Sequence, residues 1–224
     1  MKLILALLLL VSATWAQCTG YASSTSMYVN RTKVPSTQSN FTVLVDQTTA
    51  ALADTGHGGS VVNVTAGVPQ DLVFCDVGDT ALAHWEWESY DATNGHIRVW
   101  VLLATVNGAA AGSDTGFHAN AGKASVTTFQ GGATGTAWDS NYTLVSHLPN
   151  GTTLTAANSV SGIGSGTITA ATATTGQIGG GAAFVASNSA QIDFGAPNLS
   201  AYTALTASVW MKASAPVGVA LAYW

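Results

Sequence analysis

The stretch His84-Trp85-Glu86-Trp87-Glu88-Ser89-Tyr90-Asp91 places three carboxylates and two tryptophans in eight residues of a chain in which only 8% of residues are charged. Paired carboxyls can cleave a glycosidic bond: one protonates the leaving oxygen while the other attacks or activates water, and retaining enzymes hold them ~5–5.5 Å apart. On an extended strand, residues i and i+2 share a face. The pattern therefore predicts His84, Glu86, Glu88 and Tyr90 on one side and Trp85, Trp87 and Ser89 on the other. The strand rise separates same-face Cα atoms by ~6–7 Å, which permits a reactive pair. Two other chemistries fit the same residues. A half-buried strand turns its acids to solvent and its indoles to the core. Alternatively, Trp85 and Trp87 face outward as a platform on which the apolar faces of sugar rings stack. Trp100 lies opposite the apolar Ile97, Val99, Val101 and Leu103 face and is the better candidate for an exposed aromatic. The half-buried strand is the reading that asks least of the residues.

Asp76, Gly78 and Asp79 in DVGDT offer oxygens that calcium could use, but a plain β-turn needs the same residues and no ion. No cofactor is expected. The chain has no P-loop, no G-x-S-x-G and no H-E-x-x-H, and its glycine clusters GIGSG and IGGGAA lack the strand-loop-helix frame of a phosphate site. The five histidines, His57, His84, His96, His118 and His147, are dispersed, and with no CxxC nothing suggests zinc.

These residues sit in a β-rich chain. Val, Thr, Gly, Asn, Ser and Ala dominate its 224 residues, and 47% hydrophobic content with seven tryptophans argues for a packed core rather than disorder. A net charge of −5 with scattered Lys and Arg leaves no basic stripe for nucleic acid. The start, MKLILALLLLVSATWAQC, reads as a secretory signal: Lys2, an apolar run from Leu3 to Val11, and cleavage between Ala16 and Gln17. It is too short for a bilayer anchor, and no later apolar run reaches spanning length. Export permits disulfides, and both cysteines, Cys18 and Cys75, survive cleavage. They form a candidate bridge; the alternative is two thiols, with Cys75 buried in LVFC.

Period-two runs predict strands at FTVLV (41–45), DLVF (71–74), HWEWESY (84–90), HIRVWVLL (96–103), AAFVAS (182–187), AQIDF (190–194) and ALTASVWMK (204–212). Asn94-Gly95 predicts a hairpin between the third and fourth. Residues 108–135 and 152–181 are rich in Gly, Ala, Ser and Thr and read as linkers, surface loops or weak edge strands. A boundary falls between Thr128 and Trp138. The apolar ending PVGVALAYW suggests a truncated domain.

The first block resembles the bacterial domain of unknown function 2341. Val34-Pro35-Ser36, Asn40-Phe41 and Val43-Leu44-Val45 match its opening, and Gly78, Thr80, Leu82, Glu86, Glu88, Tyr90 and Trp100-Val101 match its later pattern. Its usual closing Y-Y-G-N-like strand is replaced here by FHANAG, 117–122. The second block resembles the start of a laminin-G-like, concanavalin-A-type jelly roll, through Trp138-Asp139-Ser140, His147-Leu148, Gly180-Gly181-Ala182, Phe184, Ile192 and Trp210. Laminarinase-type jelly rolls carry an E-x-D-x-x-E strand, which Glu86-Trp87-Glu88-Ser89-Tyr90-Asp91 resembles with acid types exchanged. That motif lies in the other block, however. In a bacterial protein, as the resemblance implies, the sequons at Asn30, Asn40, Asn63, Asn141, Asn150 and Asn198 carry little meaning beyond Asn/Thr-rich β structure.

The expectation is an all-β protein: a signal peptide (1–16), a β-sandwich module (17–130) and a partial concanavalin-A-like jelly roll (131–224). Its expected role is a secreted, non-enzymatic module that binds carbohydrate or cell-surface polymer, with Trp100, Trp85, Trp87, Glu86 and Glu88 as ligand-contact candidates. No catalytic or metal residue, nucleic-acid partner or membrane span is expected, and the rest of a longer chain is an expected partner. The alternatives are a glycoside hydrolase using Glu86 and Glu88, and a structural spacer.

Overall fold

A computed structural model describes residues 18–80, 82–132, 137–148, 152–160, 164–195 and 203–212. The expected signal segment (1–16), the expected cleavage point between Ala16 and Gln17, and the PVGVALAYW stretch lie outside the described residues.

The protein is all-β, with antiparallel sheets. Its strands are β1 (Ser23–Val29), β2 (Gln38–Thr48), β3 (Val64–Thr65), β4 (Val68–Pro69), β5 (Val73–Asp76), β6 (Leu82–Ala83) and β7 (Trp85–Asp91). They continue with β8 (His96–Val106), β9 (Thr115–Ala121), β10 (Thr167–Thr169), β11 (Thr172–Thr175), β12 (Gly180–Ala183) and β13 (Gln191–Asp193). The helical elements are three-residue 3-10 turns, and no helix among the described residues is long and apolar enough to cross a membrane.

Two sheets face each other across the main core. One runs β1-β9-β5-β6, the other β2-β8-β7. Met27, Phe74, Phe117, Ala119 and Ala121 from the first sheet meet Val45, Trp85, Ile97, Val99, Val101 and Leu103 from the second. Strand β8 alternates buried and half-buried side chains from His96 to Leu103, the signature of a strand whose two faces meet different surroundings. Trp85 is almost fully buried, edge-on to Phe74 at 5.3 Å and against Phe129 at 4.7 Å. Burying such side chains contributes ~1.5–3 kcal/mol each, which is what holds the two sheets together.

The β7–β8 hairpin forms over the loop 92–95. Gly95, at φ +71°, is the left-handed residue, and Asn94 contributes instead through its side chain, which accepts from the His96 amide at 2.8 Å. A Cβ on Gly95 would lie 2.0 Å from the Thr49 carbonyl oxygen, so both backbone sign and space require glycine.

Three expectations are corrected. Residues 108–135 are not merely linker or edge: β9 lies there, central between β1 and β5. Its core side is made of Phe117, Ala119 and Ala121, one large residue beside two alanines, which does not register as a hydrophobic strand. Strand β1 was missed for the same reason, since Met27 is its one fully buried residue. In the second block, AAFVAS shrinks to the end of β12 followed by a 3-10 turn, 186–188, and residues 204–212 carry no strand. Leu205, Val209, Trp210 and Met211 are exposed there, and no described strand pairs with them. Period-two sequence becomes a strand only when a neighbour takes its backbone hydrogen bonds. The second block's strands form two short ribbons, β10 with β13 and β11 with β12.

The disulfide is present: Cys18 and Cys75 are joined, with Cα atoms 6.0 Å apart. It fastens the N-terminal segment over the outer face of the first sheet, where Cys18, Cys75, Val73 and Tyr21 form a small separate cluster. Asp71, fully buried, holds the loops at that end. Its carboxylate accepts backbone N–H groups of Val62, Asn63, Gly122 and Lys123 at 2.9–3.2 Å.

Candidate functional site

The alternation of β7 breaks within HWEWESYD. A bulge between Trp87 and Ser89 leaves Glu88 as the extra residue: Trp85 and Trp87 oppose Val101 and Val99, while Ser89 and Tyr90 oppose Arg98 and Ile97. Facing therefore flips at Glu88. Tyr90, expected beside the acids, turns to the core side and donates its hydroxyl to the Leu52 carbonyl at 2.8 Å. Burial and the negative charges of Asp54, Asp71 and Asp91 push its hydroxyl pKa up, so it stays a neutral donor. Trp87, at the far edge of the sheet, is 40% exposed.

Glu86 is half-buried instead of turned freely to solvent. The outer face of β2-β8-β7 carries Thr42, Leu44, Trp100, Leu102 and Glu86, and Ala137, Trp138, His147 and Ser159 of the second block meet it. The Thr42 hydroxyl donates to the Ala137 carbonyl. Trp138 donates its indole N–H to Glu86 Oε2 at 2.8 Å, and Ser159 donates its hydroxyl to Glu86 Oε1 at 2.5 Å. His147 Nε2 stands 3.5 Å from Glu86 Oε2, too far for a normal hydrogen bond. Glu88 Oε2 accepts the Trp100 indole N–H at 3.1 Å, while its Oε1 is buried with no hydrogen-bond partner among the described residues. The rings interlock. Trp100 lies 5.3 Å from Trp138 and stacks on His147 at 5.2 Å, and Trp138 meets Tyr142 edge-on at 5.0 Å.

The environments drive the two carboxyls apart. Burial pushes Glu86 up, but the His147 ring, the Ser159 hydroxyl and the Trp138 indole outweigh it, and its pKa falls below the usual value. Burial dominates at Glu88 and raises its pKa, with the neighbouring Glu86 charge adding to the rise against the pull of His147, the Trp100 indole and Arg98. A split pair of this kind is what acid–base chemistry uses. Here, however, both Glu86 oxygens already hold side chains that fasten the second block to the sheet. Sequence reading missed Ser159 altogether and saw Trp138 and His147 only as pattern residues of another block. The legible clue was a strand whose polar face also carries Trp100.

The other candidates separate. Trp85 is core and cannot meet a ligand, and Trp100 is half-buried beneath Trp138 instead of exposed. The DVGDT residues diverge: Asp76 accepts from the Thr80 amide and hydroxyl, both at 2.7 Å, whereas Asp79 Oδ1 accepts from Asn120 at 2.8 Å and meets His118 Nδ1 at 3.1 Å. Among the described residues no group of three or more His, Cys, Asp or Glu is placed to hold a metal.

Fold and site together define an all-β protein with a disulfide-tied sandwich and a carboxylate–indole seam joining it to a following segment. No protein family, curated protein or solved structure matches the chain.

Proposed function

We propose that the protein is a secreted, non-enzymatic binding or adhesion module that engages carbohydrate or another cell-surface polymer. The observation that carries this reading is the occupation of Glu86 by Trp138 and Ser159, which leaves the sequence's most reactive-looking carboxylate with an internal partner on each oxygen. The disulfide fits an oxidising, extracellular setting, and the leader-like start agrees with it. Low charge and an exposed aromatic, Tyr28 at 68%, suit contact with neutral sugar rings. The likeness of the two blocks to domain of unknown function 2341 and to a laminin-G-like jelly roll points the same way, by analogy of architecture.

A glycoside hydrolase remains the second reading, because the opposed pKa shifts of Glu86 and Glu88 are what an acid and its partner require. Retention of the mature protein on a polysaccharide panel, together with release of reducing ends, separates the readings. Retention without release supports the binding module. Release that Glu86→Gln abolishes overturns it in favour of the hydrolase, and neither retention nor release leaves a spacer.

A further inference from the structure

The sequence candidates for ligand contact all lie on the β2-β8-β7 sheet, yet a cavity lies on the opposite side of the sandwich. On the outer face of β1-β9-β5-β6 a cavity of about 260 Å³ is lined by Cys18, Gly20, Ser23, Ser24, Asp79 and Asn120, among others. Asn120 is only 2% exposed, and its Oδ1 has no hydrogen-bond partner among the described residues. Its orientation is determined. Nδ2 donates to Asp79 Oδ1 at 2.8 Å and to the Cys18 carbonyl at 3.3 Å, so a flipped amide would set oxygen against oxygen twice. The atom left unsatisfied is an acceptor. A ligand hydroxyl or N–H could supply the donor it lacks.

The surroundings choose between those donors. Lys123 donates to the Thr19 carbonyl at 2.8 Å and sits 5.0 Å over the Tyr21 ring, a positive charge at the rim that disfavours an ammonium or guanidinium ligand. Asp79, the one carboxylate in the lining, already meets Asn120 and His118. The rest of the lining is uncharged: Cys18, Thr19, Gly20, Ser23, Ser24 and Tyr21, whose hydroxyl is also buried without a hydrogen-bond partner among the described residues. Along the same face, Ser24, Ser26 and Tyr28 follow one another on β1 opposite Asn120, His118 and Gly116. Gly116 lets the Val77 side chain and the Tyr28 ring lie close against β9: a Cβ there would meet them at 2.8 and 3.2 Å. From Ser24 to Tyr28 the strand spans ~13 Å, the reach of a short oligosaccharide.

We propose that this face is the carbohydrate site: a neutral sugar enters the cavity with a hydroxyl donating to Asn120 Oδ1, and a neighbouring ring of the same chain lies on Tyr28. The proposal rests on the carbohydrate-binding reading and assigns it a location. The test uses the mature protein on an array of neutral oligosaccharides, with spermidine as the cationic probe. Ser24→Trp, on an exposed position of edge strand β1, fills the cavity without touching the core, and Tyr28→Ala removes the platform. Expected are a loss of saccharide binding of tenfold or more for Ser24→Trp, a smaller loss for Tyr28→Ala, no change for Trp87→Ala, and a shift of the Asn120 side-chain amide resonance on saccharide addition. Saccharide binding that survives Ser24→Trp and disappears with Trp87→Ala overturns this site and leaves the carbohydrate reading intact. Binding of spermidine in preference to sugars overturns the ligand class. No binding to any saccharide overturns both.

Discussion

Replacing Glu86 by alanine tests whether the second block is truly fastened to the sandwich. The substitution removes the acceptor of the Trp138 indole and the Ser159 hydroxyl, at 2.8 and 2.5 Å. Hydrogen bonds to a charged partner contribute ~1.5–3 kcal/mol each. The Glu86 side chain keeps 27% of its exposure, so solvent weakens both, and the expected loss is about 2–4 kcal/mol. The loss is pH-dependent with a defined sign. Glu86 has a lowered pKa in the folded protein, so its stabilisation is complete above the ordinary carboxylate range and fades as pH falls through the lowered value. Urea unfolding followed by tryptophan fluorescence at pH 7 and pH 3 measures it, and a double-mutant cycle with Trp138→Phe isolates the indole bond while keeping the ring. A loss below about 0.5 kcal/mol at pH 7, or an equal loss at both pH values, would refute the reasoning.

Three further perturbations have defined outcomes. Glu88→Gln raises the urea midpoint at pH 7, because the folded protein disfavours that charge; the advantage over wild type shrinks as pH falls and wild-type Glu88 takes up its proton. Serine at both Cys18 and Cys75 costs about 4 kcal/mol by the chain-entropy account for a 57-residue separation, read as a lower denaturation midpoint. Asp71→Asn sets an amide NH₂ against backbone N–H groups and costs about 3 kcal/mol in the same assay, with hydrogen exchange rising at Val62, Asn63, Gly122 and Lys123.

The strands legible in the sequence were those with large apolar residues at every second position. FTVLV and HIRVWVLL fall on β2 and β8, HWEWESY on β7 except for His84, and DLVF overlaps β5 at Val73 and Phe74. Strands β1 and β9 stayed hidden because each brings few large residues to the core, Met27 and Val29 from β1 and Phe117 beside Ala119 and Ala121 from β9, too sparse a pattern to read as alternation. The facing of Glu86, Glu88 and Tyr90 followed strict alternation in the sequence, and a single bulged residue broke it. The burial of Glu86 depends on Trp138, 52 positions away, and period counting carries no information at that range. Asn120 and His118 alternate with Phe117, Ala119 and Ala121 in plain view. Their significance rests on Asp79 and Cys18, which only the folded chain brings alongside.

The position of β9 has a kinetic consequence. It pairs with β1 on one side and β5 on the other, yet it follows both in the chain, so it must enter a slot whose walls are already synthesised. Cys18 precedes one wall and Cys75 lies in the other. Oxidation before β9 arrives holds those walls at a fixed spacing and removes part of the loop-closure entropy that non-local pairing otherwise has to overcome. Refolding of the oxidised chain should therefore outpace that of the reduced chain, with the bridge acting as a template for the last strand to insert.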